Sequence, residues 1–287
     1  MEYLLSTPWL YYTFAAALGL AIGSFMNVVI VRLPAMLLHD WRRQARELLG
    51  LAVEETPPPP GLVVEASHCP QCKTPIKAYD NIPLVSYGLL RGRCRACRAP
   101  IGRRYPVYEF LTMAVTLAVV AVVPWGYALA GALLLSWALI ALTGIDLDHQ
   151  MLPDPITLPL LWLGLLLNTG SLYTDLHSAV FGAAAGYIVL WAVFHLFRLL
   201  TGKEGMGYGD FKLLAALGAW LGWTMLPLVI LLSSLSGALV GLALLLTGRM
   251  HRDKPLPFGP YLAFAGWIAL LYGEQIVAWY LGASRLA

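Results

Sequence analysis

The chain has 287 residues, of which 59% are hydrophobic and 12% are charged, and its mean hydropathy is +0.69. A water-soluble domain has about 25% charged residues, so a surface with so few charges must mostly face lipid. The composition predicts an integral membrane protein. It excludes a disordered chain, a disulfide-rich secreted module and a nucleic-acid-binding protein with a broad basic surface, and the net charge of +3 is too small to indicate a partner.

Eight apolar segments are candidate membrane spans, because about 20 apolar residues are needed to cross roughly 30 Å of hydrocarbon. They run over Pro8 to Val31, Val107 to Val123, Tyr127 to Gly144, Pro155 to Leu172, Ala179 to Leu200, Phe211 to Met225, Leu226 to Leu246 and Phe258 to Leu281. The first has no basic residue before it and no small-residue cleavage pattern after it, so we expect a retained anchor and not a signal peptide.

Basic residues cluster in alternate loops between these segments. Of the 19 Lys and Arg residues, 11 lie between Pro34 and Pro106, and most others are Arg198, Lys203, Lys212, Arg249, Arg252 and Lys254. Positive charge marks the cytoplasmic side. An amino terminus outside then places all of these loops in the cytoplasm and leaves only Arg285 outside. We therefore expect a first transmembrane helix (residues 1–33), a cytoplasmic loop domain (34–106) and a multi-span membrane domain (107–287).

The loop domain contains all four cysteines, as Cys69-Pro-Gln-Cys72 and Cys94-Arg-Ala-Cys97. Two thiolates on one tight turn can bind one ion, and two such turns complete the tetrahedron typical of structural Zn²⁺. A loop poor in large apolar residues gains folding free energy from such a metal. Two disulfides and a redox-active motif are the alternatives, and a reducing compartment disfavours disulfides. The fold class predicted is thus an all-α polytopic membrane protein of about eight spans, with a zinc-ribbon-like loop between the first and second.

Arginines surround the second cysteine pair, at positions 91, 93, 95, 98, 103 and 104. We interpret them as determinants of topology and as contacts to anionic membrane lipid. No nucleic-acid partner is expected, because no aromatic residues are interleaved with these charges.

Two aspartates lie where apolar segments meet the predicted cytoplasmic side. Asp146 follows the third span, and Asp210 precedes the sixth directly after Gly205-Met-Gly-Tyr-Gly209. Charged residues at such places are candidates for function. Two close carboxylates can share one proton, so that one activates water while the other acts as an acid. An N-cap role is the alternative for Asp210, although it does not explain the glycines, and a nucleotide-binding glycine loop would need a preceding strand.

Together these residues resemble the type IV prepilin leader peptidases, which are bifunctional peptidase and N-methyltransferase enzymes of bacterial pilus and type II secretion systems. The matching segments are Gly23-Ser-Phe-Met-Asn-Val-Val-Ile-Val-Arg-Leu-Pro34, the two cysteine pairs, Asp80-Asn-Ile-Pro83, Arg91-Gly-Arg-Cys94, Arg104-Tyr-Pro-Val-Tyr-Glu109, Asp146 and Gly207-Tyr-Gly-Asp210-Phe-Lys212. The resemblance covers most of the chain.

The resemblance implies cleavage of a basic leader from prepilins and pseudopilins, after a glycine, at the cytoplasmic face of the inner membrane. It also implies methylation of the new amino terminus from S-adenosylmethionine. The implied site residues are catalytic Asp146 and Asp210, supporting Gly207, Gly209 and Lys212, the zinc ligands Cys69, Cys72, Cys94 and Cys97, and Gly92, Asp80 and Glu109 for methylation.

Two other classes of protein remain open at this point. A presenilin-like intramembrane protease shares the Gly-x-Gly-Asp motif, but it normally has Tyr-Asp where this chain has Ile145-Asp146 and has no need of four cysteines. A proton-coupled transporter would place its carboxylates near mid-span and show internal repeats, whereas both aspartates lie at the edge of predicted spans.

Overall fold

The computed structural model of the protein describes residues 7–52, 57–63, 65–248 and 256–284. These ranges are helical and contain no β-strand, apart from two isolated bridges in the cysteine loop. The helices are α1 (Pro8–Leu48), α2 (Val85–Leu89), α3 (Arg104–Val122), α4 (Tyr127–His149), α5 (Asp154–Asn168), α6 (Leu176–Thr201), α7 (Tyr208–Leu221), α8 (Leu226–Leu246) and α9 (Gly259–Ser284), with 3₁₀ turns at Ala78–Asn81 and Trp223–Met225. Four basic residues used above for the topology, Arg249, Arg252, Lys254 and Arg285, lie outside the described ranges.

Six of the described helices are long and apolar enough to cross a membrane. Two of the segments predicted as spans form shorter helices, α5 with 15 residues and α7 with 14. At a rise of about 1.5 Å per residue these helices are roughly 22 and 21 Å long, which is less than the hydrocarbon thickness. The all-α polytopic class is therefore confirmed, with six full-length spans where the sequence suggested about eight.

The described residues belong to two compact units, Met1–Ala121 and Val122–Ala287. In the first unit, α1 does not end at the predicted edge of its span but continues through Pro34 to Leu48. Near that proline the Arg32 side chain is buried, and its guanidinium donates to the carbonyl oxygens of Gly61 and Glu65 at 2.6 and 3.0 Å. The hydrogen bonds of Arg32 thus hold the loop that follows the four prolines against the end of the apolar part of α1.

Small residues bring α1 and α3 into backbone contact. A Cβ on Gly19 would lie 2.8 Å from the Cα of Met113, and a Cβ on Gly23 would lie 2.7 Å from the Cα of Glu109. Asn27, one further turn along the same face of α1, donates from Nδ2 to the Tyr105 carbonyl at 3.0 Å. Close packing of this kind is typical of helices that associate within a membrane.

The short helix α7 is the centre of the second unit, and its residues from Asp210 to Leu221 are buried with the exception of Lys212. It packs against α5, α6 and α9. Gly218 of α7 and Gly182 of α6 meet backbone to backbone, so neither position has room for a side chain. Because protein surrounds α7, this helix does not have to cross lipid on its own.

Polar side chains fasten the end of α7 that is remote from Asp210. The Trp220 indole N–H donates to the Leu160 carbonyl at 2.8 Å. Nδ2 of Asn168 donates to the carbonyls of Ala219 and Trp220 at 2.9 and 3.0 Å. The two bonds from Asn168 satisfy backbone acceptors that α7 leaves unpaired at its carboxyl end.

Candidate active site and metal centre

Asp146 lies in the last turn of α4 and is the last buried residue of that helix, because Leu147, Asp148 and His149 after it are exposed. Its side chain is 5% exposed. Oδ2 accepts a hydrogen bond of 3.0 Å from the backbone N–H of Gly259, the first residue of α9. One carboxylate oxygen of Asp146 is therefore held by the start of another helix.

Asp210 lies in the first turn of α7, and its side chain is 6% exposed. The N-cap of this helix is Gly207, and Asp210 is the third helical residue. Its Oδ2 accepts a hydrogen bond of 3.1 Å from the Gly207 N–H, which is the backward-reaching half of a capping box. Asp210 is thus not the N-cap itself, and its other oxygen is not used by this cap.

The structure brings the segments that carry the two aspartates together in the second unit. Leu152, in the loop after α4, lies between the segments that carry them. A Cβ on Gly209 would lie 2.7 Å from the Leu152 Cβ, and a Cβ on Gly259 would lie 3.1 Å from the Leu152 Cδ2. The glycine at position 209 is therefore required by close packing beside Asp210.

Lys212 contacts neither aspartate of this pair in a hydrogen bond or ion pair within the described residues. Its Nζ lies 2.6 and 2.8 Å from the two carboxylate oxygens of Asp154, the first residue of α5. The ion pair joins the amino ends of α5 and α7. It therefore affects Asp210 through the position of α7, the helix that carries this aspartate.

Two buried carboxylates at one end of a helical unit can activate water. When they lie close together they retain one proton between them, and the pair then contains both a base and an acid. Backbone N–H groups on one oxygen of each carboxylate fix the direction in which the other oxygen points. The arrangement suits hydrolysis of a peptide bond.

The four cysteines form the candidate metal centre, in the first unit. Their sulfur atoms all lie within 4.8 Å of one another, with 3.7 Å between Cys69 and Cys97 and 4.0 Å between Cys72 and Cys94. A Zn–S length of about 2.3 Å in a tetrahedron requires sulfur atoms roughly 3.8 Å apart. None of the four thiols is disulfide-bonded. The sulfur positions therefore fit a tetrahedral metal and not a disulfide.

The two cysteine turns have the same backbone geometry. The Cys69 and Cys94 N–H groups donate to Thr74 and Ala99 carbonyls at 3.0 and 2.8 Å, and Lys73 and Arg98 take positive φ values of 58° and 61°. Hydrogen bonds with the side chain and backbone of Thr74 lower the pKa of the Cys72 thiol to about 6, whereas burial and the neighbouring sulfurs raise the pKa of the Cys97 thiol to about 11. The support for a metal therefore comes from the sulfur positions.

The residues that the resemblance implies for methylation also lie in the first unit. Gly92 has a φ of +66°, and a Cβ there would lie 2.9 Å from the Tyr87 hydroxyl oxygen. Asp80 accepts hydrogen bonds from Arg95, and these bonds lower the pKa of the Asp80 carboxyl. The buried Glu109 accepts from the Leu84 N–H at 2.8 Å through Oε2, and Leu84 has a positive φ of 57°.

Gly259 is a site residue that the sequence alone did not identify. It lies 113 positions after Asp146, and none of the sequence motifs described above includes it. The available signal was a glycine between Phe258 and Pro260 at the start of the last apolar segment. Such a signal marks a helix start, but it gives no information about which side chain the helix meets.

The fold and the two buried aspartates define the class of protein, which is a multi-pass helical membrane protein with an aspartate pair in its core. Comparison with known proteins then identifies the family. Residues 17–123 match the bacterial peptidase A24 N-terminal domain, which includes the four cysteines. Residues 133–242 match the type IV leader peptidase family, and this range includes Asp146 and Asp210 but not Gly259.

Three relatives cover nearly the whole chain, and each is a prepilin leader peptidase/N-methyltransferase. The Aeromonas hydrophila protein is 56% identical over 275 residues, which are 96% of this chain and 95% of its own. The Pseudomonas aeruginosa protein is 52% identical over 285 residues, 98% and 97% of the two chains. The Stutzerimonas stutzeri protein is 51% identical over 290 residues, 100% and 99% of the two chains. No solved structure matches the chain.

The chain belongs to the type IV leader peptidase family. The resemblance inferred from the sequence motifs is therefore confirmed, and the presenilin-like and transporter alternatives are disfavoured.

Proposed function

We propose that the protein removes the leader peptide of type IV prepilins and type II secretion pseudopilins after a glycine, and that Asp146 and Asp210 catalyse the cleavage. The observation that carries the proposal is the meeting of these two buried aspartates at helix ends, each with one oxygen held by a glycine N–H. The names of the relatives described above support the same activity.

The cleavage needs one ionised and one protonated aspartate. The ionised carboxylate takes a proton from water as the water oxygen bonds to the scissile carbonyl carbon, and the protonated partner donates to the carbonyl oxygen. In the second step the amide nitrogen receives a proton and the C–N bond breaks. The leader leaves with a carboxyl end at its glycine, and the mature protein gains a free amino terminus.

We place the active site at the cytoplasmic face of the bacterial inner membrane. Arg198 and Lys203 lie in or just after the last turn of α6, on the same connection that carries Gly207 to Asp210. Positive charge on this connection favours the cytoplasmic side. A substrate whose basic leader stays in the cytoplasm, and whose apolar helix lies in the membrane, would then present its scissile bond at this level.

We propose that Cys69, Cys72, Cys94 and Cys97 hold a structural Zn²⁺. The sulfur distances given above support this assignment, and so does the small number of buried apolar side chains in the loop. When bound, the ion cross-links two turns that otherwise share little apolar contact. The loop domain (34–106) would thus depend on metal for folding, and the membrane domain (107–287) would carry the peptidase site.

We assign the second activity to the loop domain, with S-adenosylmethionine as the methyl donor. The new terminal amine forms a bond to the methyl carbon while the carbon–sulfur bond breaks, and S-adenosylhomocysteine and a proton are released. Gly92, Asp80 and Glu109 are the residues proposed to support this step. Their contacts with Tyr87, Arg95 and Leu84 indicate that they shape the loop domain around α2.

Mass spectrometry of a model prepilin, incubated with the purified protein and the methyl donor, tests both activities. We expect loss of the leader after glycine and the addition of one methyl group to the new amino terminus. An intact substrate would refute the peptidase proposal. A cleaved but unmethylated product would refute only the second activity.

A further inference from the structure

The first residue of α9 touches the candidate active site with its backbone. The N–H of Gly259 has no partner within its own helix, because the first turn of a helix leaves its donors unpaired. Instead it donates to Oδ2 of Asp146 at 3.0 Å in a buried contact. Helix α9 packs against both α4 and α7, so its amino end is held beside both helices that carry the aspartates.

Residue 259 has no room for a side chain. A Cβ there would lie 2.6 Å from Oδ2 of Asp146 and 3.1 Å from Cδ2 of Leu152. Gly259 is not among the residues with positive φ, so other residues could adopt its backbone conformation. Space beside the Asp146 carboxylate, and not backbone strain, is therefore what requires glycine.

We propose that Gly259 is a positioning residue for the peptidase reaction: its N–H holds Oδ2 of Asp146 and its missing side chain leaves room for that carboxylate. Oδ1 of Asp146 is then the oxygen that remains to bind water. The Gly207 N–H holds Oδ2 of Asp210 in a corresponding way, but position 207 has room for a Cβ, which would lie 3.9 Å from that oxygen. This inference rests on the proposed function of the aspartate pair.

A methyl group at position 259 would displace the Asp146 carboxylate and would also press on the Leu152 side chain. A displacement of about 1 Å at a reacting group can lower a rate by roughly 100-fold. For Gly259→Ala we therefore expect kcat for prepilin cleavage to fall by about 100-fold while KM changes by less than about threefold.

Two matched variants on the same helix separate positioning from packing. A Cβ on Gly266 would meet the Leu217 side chain of α7. Gly266→Ala therefore perturbs the packing of α9 against α7 but not the contact between Gly259 and Asp146. Gly282 has nothing within 4 Å of an added Cβ, so Gly282→Ala controls for the substitution itself. We expect near-normal kcat for Gly282→Ala and a much smaller loss for Gly266→Ala than for Gly259→Ala.

Replacing residue 259 with glycolic acid by nonsense suppression isolates the hydrogen bond. This change converts the N–H into an ester oxygen and adds no Cβ, so it answers the question even if Gly259→Ala does not fold. Kinetics on the detergent-purified proteins, with melting temperatures as the fold control, provide the test. We expect a loss of kcat in the ester variant at an unchanged melting temperature.

Normal kcat in the ester variant or in a folded Gly259→Ala protein would overturn the inference, as would an equal loss in Gly266→Ala. These outcomes leave the proposed function intact as long as the wild-type protein cuts the prepilin. A wild-type protein that cuts no prepilin would refute the proposed function itself, and the inference with it.

Discussion

The Lys212 ammonium lies 2.6 Å from Oδ1 of Asp154, and this ion pair joins the first turn of α7 to the first residue of α5. Lys212 follows Asp210 by two positions, so the pair restrains the turn that carries a proposed catalytic group. Both side chains are partly exposed, and pairs of this kind contribute about 0–1 kcal/mol to stability. Their effect should therefore appear in the reaction rate and not in the melting temperature.

Lys212→Met should lower the rate of prepilin cleavage by about 3–10-fold, and Asp154→Asn should do the same, because each removes the same restraint. A double-mutant cycle measures the coupling: the double variant should be no slower than the slower single variant. If Asp154→Asn is normal while Lys212→Met is slow, Lys212 acts on the aspartates directly and the positioning account is wrong.

Asp146→Asn and Asp210→Asn should each leave a co-expressed prepilin uncut, because one member of an acid–base pair cannot replace the other. We expect a loss of at least about 10²-fold in each variant. Immunoblots of prepilin and pilin measure processing, and membrane fractionation checks insertion. The matched control is Asp148→Asn, a nearby carboxylate on α4 that is exposed. Processing at the wild-type rate by either Asp146 or Asp210 variant would remove that aspartate from catalysis.

The purified protein should contain about one zinc ion per chain, measured by elemental analysis. Removal of the metal by a strong chelator should unfold the loop domain, because the ion supplies folding free energy there. Protease sensitivity of residues 57–103 reports that unfolding. Metal-free protein with all four cysteines oxidised would contradict the zinc assignment.

Gly92→Ala should abolish methylation and spare cleavage. A Cβ at this position would lie 2.9 Å from the Tyr87 hydroxyl, on a backbone with positive φ, so Tyr87 and the turn must both shift. Gly88→Ala is the matched control, because nothing lies within 4 Å of an added Cβ on that nearby glycine. Mass spectra of the processed pilin separate the two activities. Equal loss of cleavage and methylation in Gly92→Ala would indicate a general folding defect.

Much of the site could be predicted because its chemistry requires particular residue types at fixed spacing. Four cysteines in two pairs predict a metal centre, and the structure places their sulfurs within 4.8 Å. Asp146 and Asp210 lie at opposite ends of their helices, and alternate crossing of the membrane predicts that such ends lie at one level. These inferences need only the sequence, the length of a span and the distribution of charge.

The predicted segments Pro155 to Leu172 and Phe211 to Met225, of 18 and 15 residues, came close to the 15 and 14 residues of α5 and α7, but the residue at which each helix ends could not be predicted. The positive φ of 80° at Gly222 ends α7, and a 3₁₀ turn follows it. Asn168 leaves no hydropathy signal although it binds the end of α7. The partners of Lys212 and Asp146 were also beyond prediction, since both contacts depend on how helices distant in sequence pack.

The hydrogen bonds of Trp220 and Asn168 at the remote end of α7 also affect the position of Asp210. Helix α7 is short and rigid, and Trp220 lies ten positions after Asp210, which corresponds to about 15 Å along the helix. Loss of the hydrogen bond from the Trp220 indole to the Leu160 carbonyl would let α7 shift along its axis or rotate, and Asp210 near its other end would move with it. A side chain about 15 Å from Asp210 would thus help to set the position of that proposed catalytic group.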